Sequence, residues 1–189
     1  MKTNVGFAIT GSFCTHEKIL EVIKTFDTEK YNIIPIVSPV VKNTDTRFGE
    51  SKLFIENLEK ITNNKVISTI VEAETLGPKN LIDCLVIAPC TGNTVAKLSN
   101  AITDDAVTMT AKALSRNEKP VIIGISTNDG LGLNLKNIAT LMQTKNYFFV
   151  PFGQDDFIKK PKSLVCDFSL LESTLNSALN YKQVQPLLI

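Results

Sequence analysis

The sequence predicts one α/β domain in which a six-stranded parallel sheet lies between two layers of helices. Two observations support this prediction. Short apolar runs alternate along the chain with amphipathic stretches of helical period, which is the order of repeated βαβ units. The chain has 189 residues, 43% of them hydrophobic, a size that fills one core and is short for two. We therefore expect residues 1–189 to form a single domain, a Rossmann-like three-layer sandwich with helices on both faces of the sheet.

Six runs are predicted as strands because they are apolar and are bounded by turn residues or helical patterns. In chain order these runs are 5–10, 33–37, 66–71, 85–88, 120–126 and 147–150. The fourth run is apolar on both faces, as a central strand of a parallel sheet must be. We therefore place it beside the first.

Apolar residues that recur every three or four positions predict the intervening helices. These helices cover about 19–26, 53–61, 93–100, 106–114, 135–143 and 170–179. Residues 152–162 contain proline, glycine and paired charges without a clear period. Residues 151–189 are therefore predicted as a C-terminal loop and helix that pack on the domain.

The composition disfavours several classes of protein. The formal net charge is +1 and no long block of like charges occurs, which disfavours nucleic-acid binding. No stretch approaches the roughly 18 apolar residues of a membrane span, so we expect a cytoplasmic protein. The cysteines, Cys14, Cys84, Cys90 and Cys166, lie far apart without Cys-x-x-Cys spacing, which indicates neither a metal site nor a disulfide framework. Ligands are therefore expected in a localised site.

The first candidate loop is Gly11-Ser12, directly after the first predicted strand. In open parallel sheets, ligands lie outside the carboxyl ends of the strands, where the winding reverses. Glycine allows a close backbone approach, and Ser12 with the following amides can hydrogen-bond a phosphate at a helix start. The loop has neither the Gly-x-Gly-x-x-Gly nor the Walker pattern, which favours a monophosphate such as that of FMN over a dinucleotide. An ordinary strand-to-helix turn is the alternative.

The second candidate loop runs from Ala88 to Thr94 and ends the fourth predicted strand. Pro89 stops the strand, Gly92 frees the backbone, and Asn93 or Thr94 can cap the following helix. Because the fourth strand is expected beside the first, the two loops should border the same crevice.

The sequence around the second loop is similar to a known signature. Residues 88–98 contain Ala-Pro-x-x-x-Asn-Thr-x-Ala-Lys-Leu, which resembles the flavoprotein superfamily of phosphopantothenoylcysteine decarboxylase and the flavin prenyltransferases. The resemblance implies FMN as cofactor and Asn93 as a candidate catalytic residue. The cofactor-binding residues on this hypothesis are Gly11, Ser12, Ser38, Ala88, Pro89, Cys90, Thr91, Asn93, Thr94, Ser126 and Asn128.

Other segments resemble the family of dipicolinate synthase B subunits, over nearly the whole chain. These segments are 44–49, 70–74, 126–129, 132–134, 150–156 and 183–186. The resemblance implies an oxidoreductase subunit that forms pyridine-2,6-dicarboxylate from a dihydrodipicolinate precursor during sporulation, in the mother-cell cytoplasm. The implied partners are a dehydrogenase A subunit that carries NAD(P), and further copies of the chain in a trimer or dodecamer.

Two alternatives stay open. The chain could be a flavin-free structural or regulatory subunit of the same complex, or an independent FMN-dependent, decarboxylase-like enzyme. The decarboxylases place a catalytic histidine after the third core segment, whereas the only histidine here is His16, at the start of the first helix. This departure disfavours cysteine decarboxylation. His16 is a candidate base, with an ordinary helix-start residue as the alternative.

The candidate substrate contacts lie in two loops. Arg47 is one of only two arginines, and a guanidinium binds carboxylates in bidentate fashion. We hypothesise that Arg47 holds one substrate carboxylate, with Thr44 and Thr46 as hydroxyl donors; an exposed loop arginine is the alternative. Asn134, at the end of the glycine-rich loop 128–134, is the remaining candidate.

Overall fold

Seven strands form one sheet in the computed structural model, which describes residues 2–189. The strands are β1 (Thr3–Ile9), β2 (Tyr31–Val37), β3 (Cys84–Cys90), β4 (Val121–Thr127), β5 (Tyr147–Phe149), β6 (Phe152–Gln154) and β7 (Leu164–Cys166). Five of them run parallel, in the order β2-β1-β3-β4-β5. The end of β4 also pairs with β7, and β7 pairs with β6. Both of these pairings are antiparallel.

Eight α-helices surround this sheet within residues 2–189. They are α1 (His16–Thr25), α2 (Pro39–Asn43), α3 (Ser51–Thr62), α4 (Ile70–Glu74), α5 (Gly92–Ser99), α6 (Ala106–Arg116), α7 (Asn134–Met142) and α8 (Leu171–Ala178). Several helices begin where the sequence supplies a cap. At α6, for example, Asp105 accepts a hydrogen bond from the backbone N–H of Thr108, and the Thr108 hydroxyl contacts the Asp105 N–H in return.

The predicted α/β sandwich with a mostly parallel sheet is confirmed, and β3 lies beside β1 as expected. The predicted strand at 66–71 is wrong. Only Ile67 bridges to β2, and α4 begins at Ile70. Thr69 and Glu72 form a capping box there, which satisfies the first amides of the helix locally and outweighs the β-branched run. In place of six parallel strands, the sheet therefore has five, extended by β7 and β6 through two antiparallel pairings.

The core runs through the middle of the sheet. Every residue of β3 is buried, and β1 is buried from Val5 to Ile9. Helix α8 packs on β4 and adds Leu171 and Leu175 to the same core. Burial of each of these side chains contributes about 2 kcal/mol to folding. The C-terminal segment thus shares the core of the sheet.

The last residues of the chain cover the edge of the sheet. The Gln183 side chain donates to the carbonyl of Phe149 at 2.7 Å and accepts from the amide of Phe149 at 2.8 Å. Further on, Phe152 N–H donates to the Leu187 carbonyl at 3.0 Å. No helix within residues 2–189 is long and apolar enough to cross a membrane.

Candidate functional site

The carboxyl ends of β1, β3 and β4 meet at a crevice of about 830 Å³. Its floor is formed by residues 11–15, 91–93 and 126–129, and its rim includes Arg47, Phe48, Asn134, Asp155 and Lys160. A side cavity of about 400 Å³ shares Gly11, Thr91 and Asn93 with the crevice. The two predicted ligand loops therefore border the same site.

Hydroxyl groups connect the floor from strand to strand. Thr10 Oγ1 donates to the Pro89 carbonyl at 2.7 Å and accepts from Thr91 N–H at 3.0 Å. The hydroxyls of Ser12 and Ser126 lie 2.8 Å apart. These contacts join the ends of β1, β3 and β4 through the protein's own groups.

The start of α5 packs closely against the loop after β4. Thr91 caps the helix, with Oγ1 3.4 Å from Thr94 N. A Cβ placed on Gly92 would lie 2.5 Å from Asn134 Nδ2 and 2.6 Å from Thr127 Oγ1, so glycine permits this approach. Because the first amides of a helix lack intrahelical acceptors, this terminus is suited to an anionic or polar ligand group.

Ser38 is buried at the end of β2, in the side cavity. Within residues 2–189, its hydroxyl is the buried side-chain polar atom that has no hydrogen-bond partner. A buried hydroxyl without a partner costs roughly 1–3 kcal/mol. A polar ligand group in the side cavity would remove that penalty.

Lys97 also lines the side cavity. Its ammonium group lies 2.8 Å from Asp104 and 3.1 Å from Asp105. Burial opposes the charged form, but the hydrogen bonds to both carboxylates raise the pKa of Lys97 overall. The side cavity is thus lined by Lys97, whose charge is paired with two carboxylates, and by Ser38, whose hydroxyl has no partner.

His16 lies behind the floor, beside a separate outer cavity of about 320 Å³. Its ring stacks on Phe54 at 4.6 Å, and its Nε2 is 2.9 Å from the Thr10 carbonyl. Since a carbonyl oxygen can only accept, Nε2 carries the hydrogen. Burial lowers the pKa of His16, and the contact with Thr10 offsets this in part. At neutral pH the imidazole is therefore uncharged. Its hydrogen bond supports Thr10, the residue that connects β1 to β3.

Arg47 occupies the tip of a tight turn at the rim. Thr46 and Gly49 exchange backbone hydrogen bonds of 3.0 and 3.1 Å, and Gly49 has a φ of +143°, which favours glycine. The Arg47 guanidinium lies 4.9 Å from the centre of the Phe48 ring. It forms an ion pair with no carboxylate of residues 2–189.

The other predicted substrate contacts divide between two cavities. Thr44 and Thr46 line the outer cavity, and Thr46 Oγ1 accepts from Phe48 N–H at 3.1 Å, which shapes the turn. Asn134 lies at the crevice, where its Nδ2 is 3.3 Å from Asp129 Oδ2. The structure thus brings Arg47 and Asn134 to one site and places the two threonines in the neighbouring cavity.

The predicted cofactor contacts also differ in position. Gly11, Ser12, Thr91, Asn93, Ser126 and Asn128 line the crevice, and Ser38 and Thr94 line the side cavity. Ala88, Pro89 and Cys90 are buried within β3, behind the floor. Burial raises the pKa of the Cys90 thiol, which keeps it protonated. Cys14 is exposed at the crevice.

Lys160, Asp155 and Ser163 reach the crevice from the connection between β6 and β7, and the sequence did not assign them to a site. The Lys160 ammonium lies 2.8 Å from the Asp155 carboxylate. The adjacent carboxylates at 155 and 156 were a partial signal: Asp156 accepts from the amides of Ile158 and Lys159, which forms the turn. Residues 2–189 contain no cluster of His, Cys, Asp and Glu that could hold a metal ion.

An open, mostly parallel sheet with polar loops at the carboxyl ends of its strands is the architecture of the Rossmann-like α/β proteins, whose ligands bind at that edge. The chain belongs to the flavoprotein family, whose family model matches residues 1–182. It is 50% identical to the B subunit of dipicolinate synthase from Bacillus subtilis (strain 168) over 185 residues, which are 98% of this chain and 92% of that protein.

Solved structures agree with this relationship. The crystal structure of the dipicolinate synthase B subunit from Bacillus halodurans is 47% identical and has a TM-score of 0.90, with 100% of this chain and 98% of that one covered. The FMN-dependent cysteine decarboxylase SpaF is 20% identical with a TM-score of 0.69, with 94% of this chain and 95% of that one covered, a likeness in fold alone.

Proposed function

We propose that the crevice and the side cavity bind FMN, and that the chain is the flavin-binding component of a dipicolinate synthase, its B subunit. The unpartnered Ser38 hydroxyl is the observation that carries the cofactor proposal, because Ser38 lines a cavity bordered by the family signature. The subunit proposal is supported by the 50% identity to the corresponding dipicolinate synthase chain of Bacillus subtilis.

The residues present fit FMN. Gly11 and the start of α5 offer backbone amides, while Ser12, Ser38 and Asn93 offer side-chain donors. When bound, FMN supplies reversible transfer of two reducing equivalents. The chain's own residues would bind and orient it: Thr10 and His16 hold the floor in place, and Gly92 allows the start of α5 to approach it.

The substrate proposal concerns the rim. Oxidation of dihydrodipicolinate to pyridine-2,6-dicarboxylate removes two electrons and two protons. An A subunit that carries NAD(P) would take part in this redox step, in the cytoplasm of the mother cell. Arg47, which lacks a carboxylate partner, would bind one substrate carboxylate, and Asn93 and Asn134 would provide amide contacts.

The structure also bears on the decarboxylase alternative and on self-assembly. His16, the only histidine, hydrogen-bonds behind the floor, which disfavours a decarboxylase that uses a histidine in the crevice. The neighbour described as a cubic protein cage for redox transfer has the same fold. We therefore also propose that copies of this chain assemble with one another.

Titration of FMN into the purified protein, followed by quenching of flavin fluorescence, tests the cofactor proposal. We expect saturable binding, and we expect Ser38→Ala to weaken it about tenfold, because one hydrogen bond to a polar ligand is lost. The unliganded variant should be at least as stable as wild type, since the hydroxyl has no partner in the protein. Ser173→Ala on α8 is the control and should leave FMN affinity unchanged.

A reconstitution assay tests the subunit proposal. The dehydrogenase partner alone is compared with the partner plus this chain for formation of pyridine-2,6-dicarboxylate, and we expect the pair to be faster. If this chain takes up no FMN but still accelerates its partner, it is a structural or regulatory subunit. If it has no effect on the partner, the subunit proposal is contradicted.

A further inference from the structure

We propose that Lys160 binds the second carboxylate of the dicarboxylate ligand, and that Asp155 is the positioning residue that holds the Lys160 ammonium at the crevice. This inference rests on the substrate proposal above, in which Arg47 binds the first carboxylate. A cationic contact binds a carboxylate more strongly than a neutral donor does, and Thr44 and Thr46 supply no cation for the second carboxylate.

The two cations reach the crevice from separate elements. Arg47 lies at the tip of the turn closed by Thr46 and Gly49, and Lys160 lies in the connection between β6 and β7. Thr44 and Thr46 line the outer cavity instead. Arg47 and Lys160 are therefore the cationic side chains among the described residues of the crevice lining.

Asp155 leaves donors of Lys160 free. An ammonium group has three donor hydrogens, and the 2.8 Å contact with Asp155 uses one of them. The Lys160 side chain is 55% exposed, so its remaining donors are accessible to a ligand carboxylate. The ion pair thus fixes the position of the cation without enclosing it.

The acidic groups of the crevice have partners within the protein. Asp129 accepts from Leu133 N–H at 3.2 Å and from Asn134 Nδ2 at 3.3 Å. Asp155 is paired with Lys160, and hydrogen bonding to it raises the pKa of the lysine, so the ammonium stays charged. Arg47 has no such partner. The crevice therefore combines Arg47, which has no carboxylate partner among residues 2–189, with Lys160, which Asp155 anchors.

The connection that carries Lys160 is well fixed for an exposed loop. Gln154 Nε2 donates to the Pro161 carbonyl at 3.0 Å, and Leu131 N–H donates to the Lys162 carbonyl at 2.9 Å. Asp156 accepts from the amide of Lys159 at 2.9 Å. These bonds hold the lysine beside the crevice before a ligand arrives.

The test compares two ligands that differ by one carboxylate. Isothermal titration calorimetry measures the Kd of pyridine-2,6-dicarboxylate and of pyridine-2-carboxylate on FMN-loaded wild type, Lys160→Gln and Lys159→Gln. Lys160→Gln should weaken the dicarboxylate about fivefold, the size of an exposed ion pair, and leave the monocarboxylate unchanged. Lys159→Gln, the adjacent control, should match wild type.

A positioning role for Asp155 has its own readout. Asp155→Asn keeps Lys160 but removes its anchor, so the dicarboxylate should bind more weakly than to wild type and more tightly than to Lys160→Gln. The salt dependence of Kd should be steeper for wild type than for Lys160→Gln, because one exposed charge contact has been removed.

The outcomes separate the two proposals. If wild type binds pyridine-2,6-dicarboxylate and Lys160→Gln retains the wild-type ratio of the two Kd values, the role of Lys160 is overturned while the substrate proposal stands. If FMN-loaded wild type binds neither ligand, the substrate proposal is contradicted, and so is the role of Lys160 that rests on it.

Discussion

The floor of the crevice is connected by internal hydrogen bonds, whereas its rim presents charged and exposed side chains. On the floor, Thr10 joins β1 to β3, and Ser12 contacts Ser126. At the rim, the Arg47 guanidinium lies over the adjacent Phe48 ring, and Lys160 pairs with Asp155. On the function proposed above, the floor would hold the cofactor and the rim would select the substrate. Floor substitutions should therefore affect folding and flavin together, and rim substitutions should affect substrate alone.

The largest effect is expected for Gly92→Ala. The added Cβ would overlap Asn134 Nδ2 and Thr127 Oγ1, so α5 must move away from the loop after β4. Overpacking of this kind costs about 2 kcal/mol. We expect a lower melting temperature and loss of FMN from the purified protein, measured by thermal unfolding and by flavin absorbance.

A second substitution checks the cause. Combining Gly92→Ala with Asn134→Ala removes the nearer clash and should restore part of the melting temperature. Equal melting temperatures of the single and double variants would show that the clash with Asn134 does not cause the destabilisation by Gly92→Ala.

A smaller, pH-dependent effect is expected for His16→Phe. Phenylalanine keeps the stacking on Phe54 but loses the contact with the Thr10 carbonyl, which costs about 1 kcal/mol at neutral pH. Because burial lowers the pKa of His16 below its ordinary 6.5, the unfolded chain takes up a proton that the native ring does not. The free energy of unfolding of wild type should therefore fall as pH drops below about 6.5.

Urea unfolding across pH 5 to 8 provides the measurement. The gap between wild type and His16→Phe should be widest above 6.5 and should narrow below it. A gap that stays constant across this range would mean that the buried imidazole does not set the pH dependence.

The smallest effect on stability is expected for Arg47→Lys, which should change substrate affinity alone. Lysine keeps the charge but loses the bidentate geometry, so the affinity for pyridine-2,6-dicarboxylate should fall about tenfold. FMN affinity and melting temperature should stay at wild-type values, because Arg47 pairs with no carboxylate of residues 2–189. Unchanged substrate affinity would remove Arg47 from the site.

The same contrast explains what the sequence could predict. The floor comes from loops directly after buried strands, so a local pattern such as 88–98 was sufficient to locate it. Lys160 was missed because β6 and β7 have only three residues each, too few to show a period, and β7 pairs with a distant strand, β4. The strand predicted at 66–71 failed for another reason: Thr69 and Glu72 cap a helix within a β-branched run.

The side chain of Gln183 has a consequence for how this protein behaves at high concentration. An unpaired edge strand is a template on which strands from other molecules can add, the first step of aggregation. At Phe149, both backbone groups that a foreign strand would use are already bonded to one amide side chain. A side chain cannot propagate a ladder as a backbone can, so Gln183 closes this edge of β5 without creating a new one.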